Sequence, residues 1–436
     1  MITNLLPVEA THTSLDLWER PPLLVPFSHP LEQKIGPSFS PNGVNLEFEV
    51  IGDRNNFIDL RKIYLEIECR IKQQDGNNLR YDATDPALSA DAIFVNNVLH
   101  SLFADCTITA NGIKISNANG LYAHKSFLET EYSHTKDAKD TWLNCQGYFY
   151  ETNPGAFRTG SVLSRKQMVR SSASLHIIGK VASDIFTCAE HLISGVNLRI
   201  SFLRSANDFV TIAEDDAKHY RAEIVRANLY VKKMAITDKM VSVIEKTLLK
   251  SPAIYKYTEV IPKTFLIATG QRSWKHEDIF TKEPIRRMMI AMNTNAAFVG
   301  SNNTNPFHYQ KFDLSEVVIY RNGIPIVGTP LPTVDNKHVY FTTLNALAFG
   351  DNSHGIKLSE YDNHFVMCFD LTSTEEASHD YVHPELTNAS LTVELKFNTA
   401  LRENVEILFL GEKHSIIYID SARNVSKNVL MTPTNG

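Results

Sequence analysis

Two stretches of this chain, one in each half, repeat a single strand–turn–strand pattern, and that repetition constrains the fold more than any other feature. Ile108-Thr109-Ala110-Asn111-Gly112-Ile113-Lys114-Ile115 recurs as Ile319-Tyr320-Arg321-Asn322-Gly323-Ile324-Pro325-Ile326. Further on, Val196, Leu198, Ile200 and Phe202 alternate with polar residues, as do Leu391, Val393, Leu395 and Phe397. A weaker echo links Tyr122 and Phe127-Leu128 to Tyr340 and Leu344. The three matches keep their order. A duplicated β unit without catalytic residues at matching places reads as a building block rather than an enzyme.

At 436 residues the chain exceeds the roughly 250–300 at which one hydrophobic core stops growing. Two domains are expected, and the repeat says where to divide them. The net charge of −6 supplies no basic field, so direct nucleic-acid binding is not expected. The five cysteines, Cys69, Cys106, Cys145, Cys188 and Cys368, form no CxxC pair, and an odd number makes a poor disulfide framework. Cys69 and Cys106 fall on the apolar phase of alternating runs and read as small core residues, which points to a reducing compartment. Met1 to Leu6 does not open a secretory signal, and no apolar run approaches the ~18 residues that span a bilayer. A soluble protein made in the cytosol is expected, with the sequons at Asn302, Asn388 and Asn424 left unused.

Strand signals dominate the pass along the chain. Leu46, Phe48 and Val50 alternate with Glu47 and Glu49, and Ile63, Leu65, Ile67, Cys69 and Ile71 alternate with Tyr64 to Lys72. Period two sends one set into a core and the other outward, as in a sandwich rather than a parallel α/β sheet. Each Asn-Gly pair suits a type I′ hairpin, pairing Ile108 with Ile115 and Ile319 with Ile326. Residues 237–250 read as a connector helix: Thr237 caps it, Met240, Val241, Ile244 and Leu248 share a face, and Pro252 follows. A second helix is expected over 121–133, within an excursion, about 127–174, longer than its counterpart. Seven prolines within residues 1–43 predict an extended arm lying against its own chain or a neighbour. Sandwich or jelly-roll units over 44–236 and 251–422, then a tail over 423–436, complete the expected layout.

Sites of chemistry are scarce. Neither a Walker A loop nor a GxGxxG is present, and Gly36-Pro37-Ser38-Phe39-Ser40 only approaches a nucleophile elbow. Glu375, Glu376, His379, Asp380, His383 and Glu385 form the nearest metal-like cluster, but Pro384 marks it as a solvated loop rather than a converging ligand set. Asp75-Gly76-Asn77-Asn78 with Asp82 and Asp85 lacks the ligand alternation of a calcium loop and reads as a polar turn. The sixteen histidines sit in no nucleophile motif and read as surface groups. Trp142 with Tyr148-Phe149-Tyr150 fits packing better than a ligand platform. No catalytic, cofactor or metal residue is assigned.

Segments spread over about residues 45–425 resemble the hexon-type major capsid proteins of Maverick/Polinton elements and adintovirus-like viruses. They are Asn96-Asn97-Val98-Leu99-His100-Ser101-Leu102-Phe103 with the Asn111-Gly112 hairpin, Phe127-Leu128-Glu129-Thr130, Asp137-Ala138-Lys139, Ser183-Asp184-Ile185-Phe186 and Leu192-Ile193-Ser194-Gly195-Val196. In the second half come Ala297-Phe298-Val299-Gly300-Ser301, Asn305-Pro306-Phe307, Glu360-Tyr361, Phe369-Asp370-Leu371-Thr372, Phe397-Asn398-Thr399-Ala400-Leu401 and Ile419-Asp420. Ser194-Gly195 departs from the Asn-Gly of that pattern and leaves the turn type there open. The resemblance implies an all-β double jelly roll of two tandem eight-stranded units with short helices. It also implies a homotrimer of pseudo-hexameric outline in an icosahedral virion shell, meeting neighbouring capsomers, penton and minor capsid proteins. A tandem lectin-like glycan binder and a cupin-like enzyme stay open as other readings, since sandwiches host all three.

Overall fold

The computed structural model describes residues 31–37, 43–80, 91–156, 160–213, 218–281, 283–326, 331–333, 335–347, 354–372, 377 and 389–428. Among the described residues, eight strands of each half form the four main sheet paths, while the short strands Ala92–Phe94, His191–Leu192, Thr211–Ala213, Leu331–Pro332 and Val425–Lys427 lie off them. The first eight are β1 (Leu31–Ile35), β2 (Asn45–Val50), β3 (Asn56–Gln73), β4 (Phe103–Ala110), β5 (Ile113–Asn117), β6 (Leu175–Lys180), β7 (Leu198–Arg204) and β8 (Tyr220–Ala235). The second eight are β9 (Ala253–Ile267), β10 (Ser273–His276), β11 (Arg287–Thr294), β12 (Leu314–Arg321), β13 (Ile324–Pro325), β14 (Val366–Asp370), β15 (Leu391–Phe397) and β16 (Val405–Ile419). Sheets of order β1-β8-β3-β6 and β2-β7-β4-β5 build the first lobe; β9-β16-β11-β14 and β10-β15-β12-β13 build the second. Raising every label of one lobe by eight yields the other.

Alternation in the sequence becomes the two-layer core. On β3, Leu65, Ile67, Cys69 and Ile71 are wholly buried, while the residues between them are half-buried. Leu46, Phe48 and Val50 of β2 and Ile200 and Phe202 of β7 meet them from the other sheet. In the second lobe Val393, Leu395, Ile407 and Phe409 play the same part.

Both Asn-Gly turns take positive φ at both centres: 45° and 82° at Asn111-Gly112, 50° and 80° at Asn322-Gly323. In each, the Asn amide donates to the carbonyl of a residue on the neighbouring strand's approach, Asn197 or Ser390, and the Asn Oδ1 accepts that residue's amide. The expected register holds in the second hairpin, where the Ile326 amide donates to Ile319. The first departs from it: a bulge pairs Ile108 with Ser116 instead of Ile115. Ile115 is thereby buried, and its carbonyl accepts the Tyr257 hydroxyl of the second lobe at 3.1 Å. At the Ser194-Gly195 departure only Gly195 adopts positive φ.

Among the helices of the described residues, those used below are α1 (Tyr122–Ser133), α2 (Lys136–Asp140), α3 (Asp238–Leu248), α4 (Asn295–Val299) and α5 (Lys337–Ala346). Thr237 caps α3 by accepting the Met240 amide, and Val241, Ile244 and Leu248 are its buried face. α1 and α5 hold equivalent places in chain order, each between the hairpin and the edge strand β6 or β14. Leu31–Ile35, which proline frequency assigned to an arm, pairs with β8 at the sheet edge, the position where flanking Pro30 and Pro37 are tolerated. Residues 1–30 of that arm lie outside the described residues. Within the expected tail, Val425–Lys427 adds a short strand to β16.

Candidate functional site at the seam between the lobes

α1 is buried almost all round although His124, Lys125, Ser126, Glu129, Thr130, Glu131 and Ser133 make up more than half of it. Such a helix is stable only if every polar group it carries finds a partner, because an unpaired buried charge is costly. The partners come from both lobes. Lys125 places its ammonium 2.6 Å from Asp184, with Glu129 at 3.8 Å. The other Asp184 oxygen accepts the Val260 amide of β9 at 3.0 Å. Burial pulls the Lys125 ammonium toward neutrality, but Asp184 and Glu129 outweigh it and hold its pKa above the ordinary value.

Further along α1, Glu131 accepts the Tyr148 hydroxyl and faces Lys139 of α2 at 3.6 Å and His364 at 3.5 Å. Lys139 also donates to the His354 carbonyl at 2.7 Å, so a first-lobe cation closes on second-lobe backbone. Burial acts against the Glu131 carboxylate, yet Lys139, His364 and Tyr148 hold it below the ordinary range. The Tyr132 hydroxyl donates to the His364 carbonyl.

The aromatic part of the seam centres on His124. Its ring stacks on Phe298 of α4 at 3.9 Å and 5°. Nε2 lies 3.1 Å from the Phe298 carbonyl, which can only accept, so Nε2 carries the proton and Nδ1 accepts the Tyr309 hydroxyl at 2.9 Å. Burial lowers the His124 pKa to about 4, and the ring is neutral at pH 7. Phe127 stacks on Phe307 at 4.2 Å and 8°. At the far end Arg423 donates to the Ser194 carbonyl and to Glu245, while its own carbonyl accepts from Asn111.

Between these contacts lies a cavity of about 580 Å³. Glu129, Thr130 and Ser133 of α1 line one side, and Met289, Leu410 and Glu412 of the second lobe the other. Burial raises the Glu129 carboxyl to about 7 against the pull of Lys125.

The sequence assigned none of these residues a role. Lys125, Glu131 and Lys139 are ordinary charges when read in series; the available signal was charge inside a helix with no clear polar face. The aromatic run is packing: Tyr148 is buried, Tyr150 donates to Glu360 of the second lobe at 2.7 Å, and Trp142 stands 45% exposed against His134. Several histidines read as surface groups, namely His100, His124, His354 and His364, are buried instead. The cluster of Glu375, Glu376, His379, Asp380, His383 and Glu385 lies outside the described residues, as do Asp82 and Asp85. Asp75 caps its own turn, accepting the Asn77 amide at 2.9 Å. Among the described residues no group of three or more His, Cys, Asp or Glu is placed to hold a metal, and no helix is long and apolar enough to cross a membrane. Asn302 of the first sequon is buried and donates to the Lys218 carbonyl.

Known structures share this fold. A chain of the Sputnik virophage superposes with a TM-score of 0.62 at 11% identity, over 99% of this chain and 94% of that one. The mavirus major capsid protein gives 0.57 at 10%, over 99% and 97%. The chain is a double jelly roll. A chain of the PBCV-1 virus capsid gives 0.57 at 9%, over 93% and 98%. In sequence, this double jelly roll is 20% identical over 366 residues to an uncharacterized protein of Caenorhabditis elegans, covering 81% of this chain and 86% of that protein. No protein-family model matches it.

Proposed function

We propose that this chain is a major capsid protein that self-assembles as a pseudo-hexameric trimer into the icosahedral shell of a double-stranded DNA virus or virus-like transposon, of the Maverick/Polinton and adintovirus type. The seam carries the reading. Buried ion pairs, stacked rings and side-chain-to-backbone bonds hold two equivalent lobes at one orientation. Three such rigid pairs around a threefold axis give six similar outlines, so lattice contacts are nearly equivalent although the lobes differ chemically. The capsid proteins among its structural neighbours support the same role, and the sequence resemblance supports the finer assignment.

Assembly, not catalysis, is then the activity, with the virion as its location and neighbouring capsomers, penton and minor capsid proteins as partners. Each contact within the trimer should bury well over ~2,000 Å². Residues ahead of β1 and the C-terminal residues after Val425–Lys427 would reach neighbouring capsomers. In this reading 44–236 and 251–422 are the bodies of the two lobes, joined by the connector over 237–250, with Leu31–Ile35 added to the first and Val425–Lys427 to the second.

Size-exclusion chromatography with light scattering, followed by negative-stain imaging, tests the proposal. A three-chain mass and hexagonal outlines are expected. A monomer that binds a glycan array would replace it with a lectin-like function. Removing the residues ahead of Leu31 should leave the trimer and weaken shell formation; normal shells from that variant would take the arm out of the proposal.

A further inference from the structure

The cavity at the seam has walls of two kinds. Leu60 and Ile63 of β3, Val181, Phe186, Val260 of β9 and Leu410 of β16 give it apolar surface from both lobes. Arg61, Trp142 and Lys180 also line it, and their exposure marks its mouth. A volume of about 580 Å³, mainly apolar walls and a few fixed polar groups are the attributes of a small-molecule site.

The polar groups are not balanced. Three carboxylates, those of Glu129, Asp184 and Glu412, share two cations, Lys125 and Arg287. Lys125 lies 2.6 Å from Asp184. Arg287 gives Nε and Nη2 to Glu412, and Nη1 to the Ala346 carbonyl of α5 at 3.1 Å. Glu259, which Lys125 also senses, pairs with Lys427 at 2.6 Å. Glu129 is left with Lys125 at 3.8 Å, beyond hydrogen-bond reach, and 31% of its side chain stays accessible. Burial, with Asp184 and Glu412 beside it, raises that carboxyl to about 7.

We propose that the seam cavity binds a small amphiphilic amine, its ammonium on the Glu129 carboxylate and its apolar body between Leu60, Phe186, Val260 and Leu410. Charge sets the sign of the head group. The inner wall lacks one positive charge, whereas Arg61 and Lys180 stand at the mouth, where salt screens them. An ammonium taken out of water there is repaid by Glu129, and a carboxylate would be repelled by it. The volume exceeds what a single lysine stem would fill, so the body is larger than a side chain. A ligand held by both lobes stabilises their orientation by mass action. The site is complete within one chain and does not depend on assembly.

Isothermal calorimetry of the full chain with octylamine, octanol and octanoate tests the site. Octylamine should bind saturably and raise the melting temperature. Octanol should bind about tenfold more weakly, and octanoate more weakly still. From butylamine to octylamine, each methylene should tighten binding about fourfold. Glu129→Gln should lower the octylamine affinity about tenfold and leave octanol unchanged. It should also abolish the proton that Glu129 gives to buffer when the ammonium docks at pH 7. Met289→Trp fills the cavity from β11 and should weaken every probe, with circular dichroism melts showing that each variant folds. No saturable octylamine binding, or binding unchanged by Glu129→Gln, would overturn the site. Octanoate binding as tightly as octylamine would overturn the amine head, and butylamine matching octylamine would overturn the apolar body in favour of a partner's lysine.

Discussion

Asp184 joins the lobes through two oxygens: one lies 2.6 Å from the Lys125 ammonium and the other accepts the Val260 amide at 3.0 Å. The Lys125 side chain is 2% exposed and that of Asp184 8%, so solvent cannot replace either partner. Breaking one side of such a pair strands the other as an uncompensated buried charge. Asp184→Asn should therefore destabilise the fold by about 3–5 kcal/mol, since Glu129 at 3.8 Å is a poorer substitute. Urea unfolding reads this as a lower midpoint at unchanged slope. An unmoved midpoint would mean that the pair does not hold the seam.

Acid should loosen the fold before its carboxylates are exhausted. Burial lowers His100 from 6.5 to about 3 and His124 and His354 from 6.5 to about 4. Between those values and 6.5 the unfolded chain takes up protons that the folded chain refuses. Their contribution is thus present above pH 6.5 and falls away as pH drops toward 4. By pH 5 each histidine costs roughly 2 kcal/mol by linkage. Glu129 acts in the opposite sense: raised from 4.5 to about 7, it favours the folded chain as pH falls through 7. That offsets part of the histidine contribution. The melting temperature should drop between pH 7 and 5, and His354→Gln should flatten the decline. A flat profile in the unaltered chain would show that these rings titrate normally.

Legibility in the sequence follows from how local each signal is. Alternation on β3 and β7, the Asn-Gly turns and the Thr237 cap are decided within a few residues, and all three gave their elements. β1 was read as arm because five residues between prolines carry no periodicity of their own; its strand character comes from β8, far along the chain. The bulge at Ile115 answers to Tyr257 in the other lobe. The seam was least legible. Lys125 meets Asp184, Lys139 meets the His354 carbonyl and His124 meets Tyr309, each partner remote in sequence, so charge on α1 looked solvated when it was paired.

Thiol chemistry offers an independent check on burial. Cys145 is exposed, whereas Cys69, Cys106, Cys188 and Cys368 are buried. Burial holds the thiols of Cys69, Cys106 and Cys188 well above the ordinary value and pushes Cys368 up to about 12. Since the thiolate is the reactive form, a disulfide reagent should label one cysteine promptly in the native protein. The other four should react only on unfolding, and mass spectrometry of the labelled peptides identifies which came first. Fast labelling of Cys69 or Cys106 would contradict the packed first-lobe core.

Two glycines separate backbone cost from packing cost. At Gly323, φ is 80° and a Cβ would meet nothing within 4 Å, so Gly323→Ala pays only for a left-handed backbone, roughly 1 kcal/mol. Gly411 has an ordinary φ, but a Cβ there would sit 2.5 Å from Phe280 Cε1 and 3.0 Å from Ile285 Cδ1. Gly411→Ala must displace a buried ring from the sheet of the second lobe, an overpacking of about 1–3 kcal/mol. Chemical denaturation should rank Gly411→Ala as the more damaging change, and near-ultraviolet circular dichroism should change for it alone. The reverse ranking would mean that Phe280 swings aside freely, and that the second lobe is less tightly packed beside β16 than its buried residues indicate.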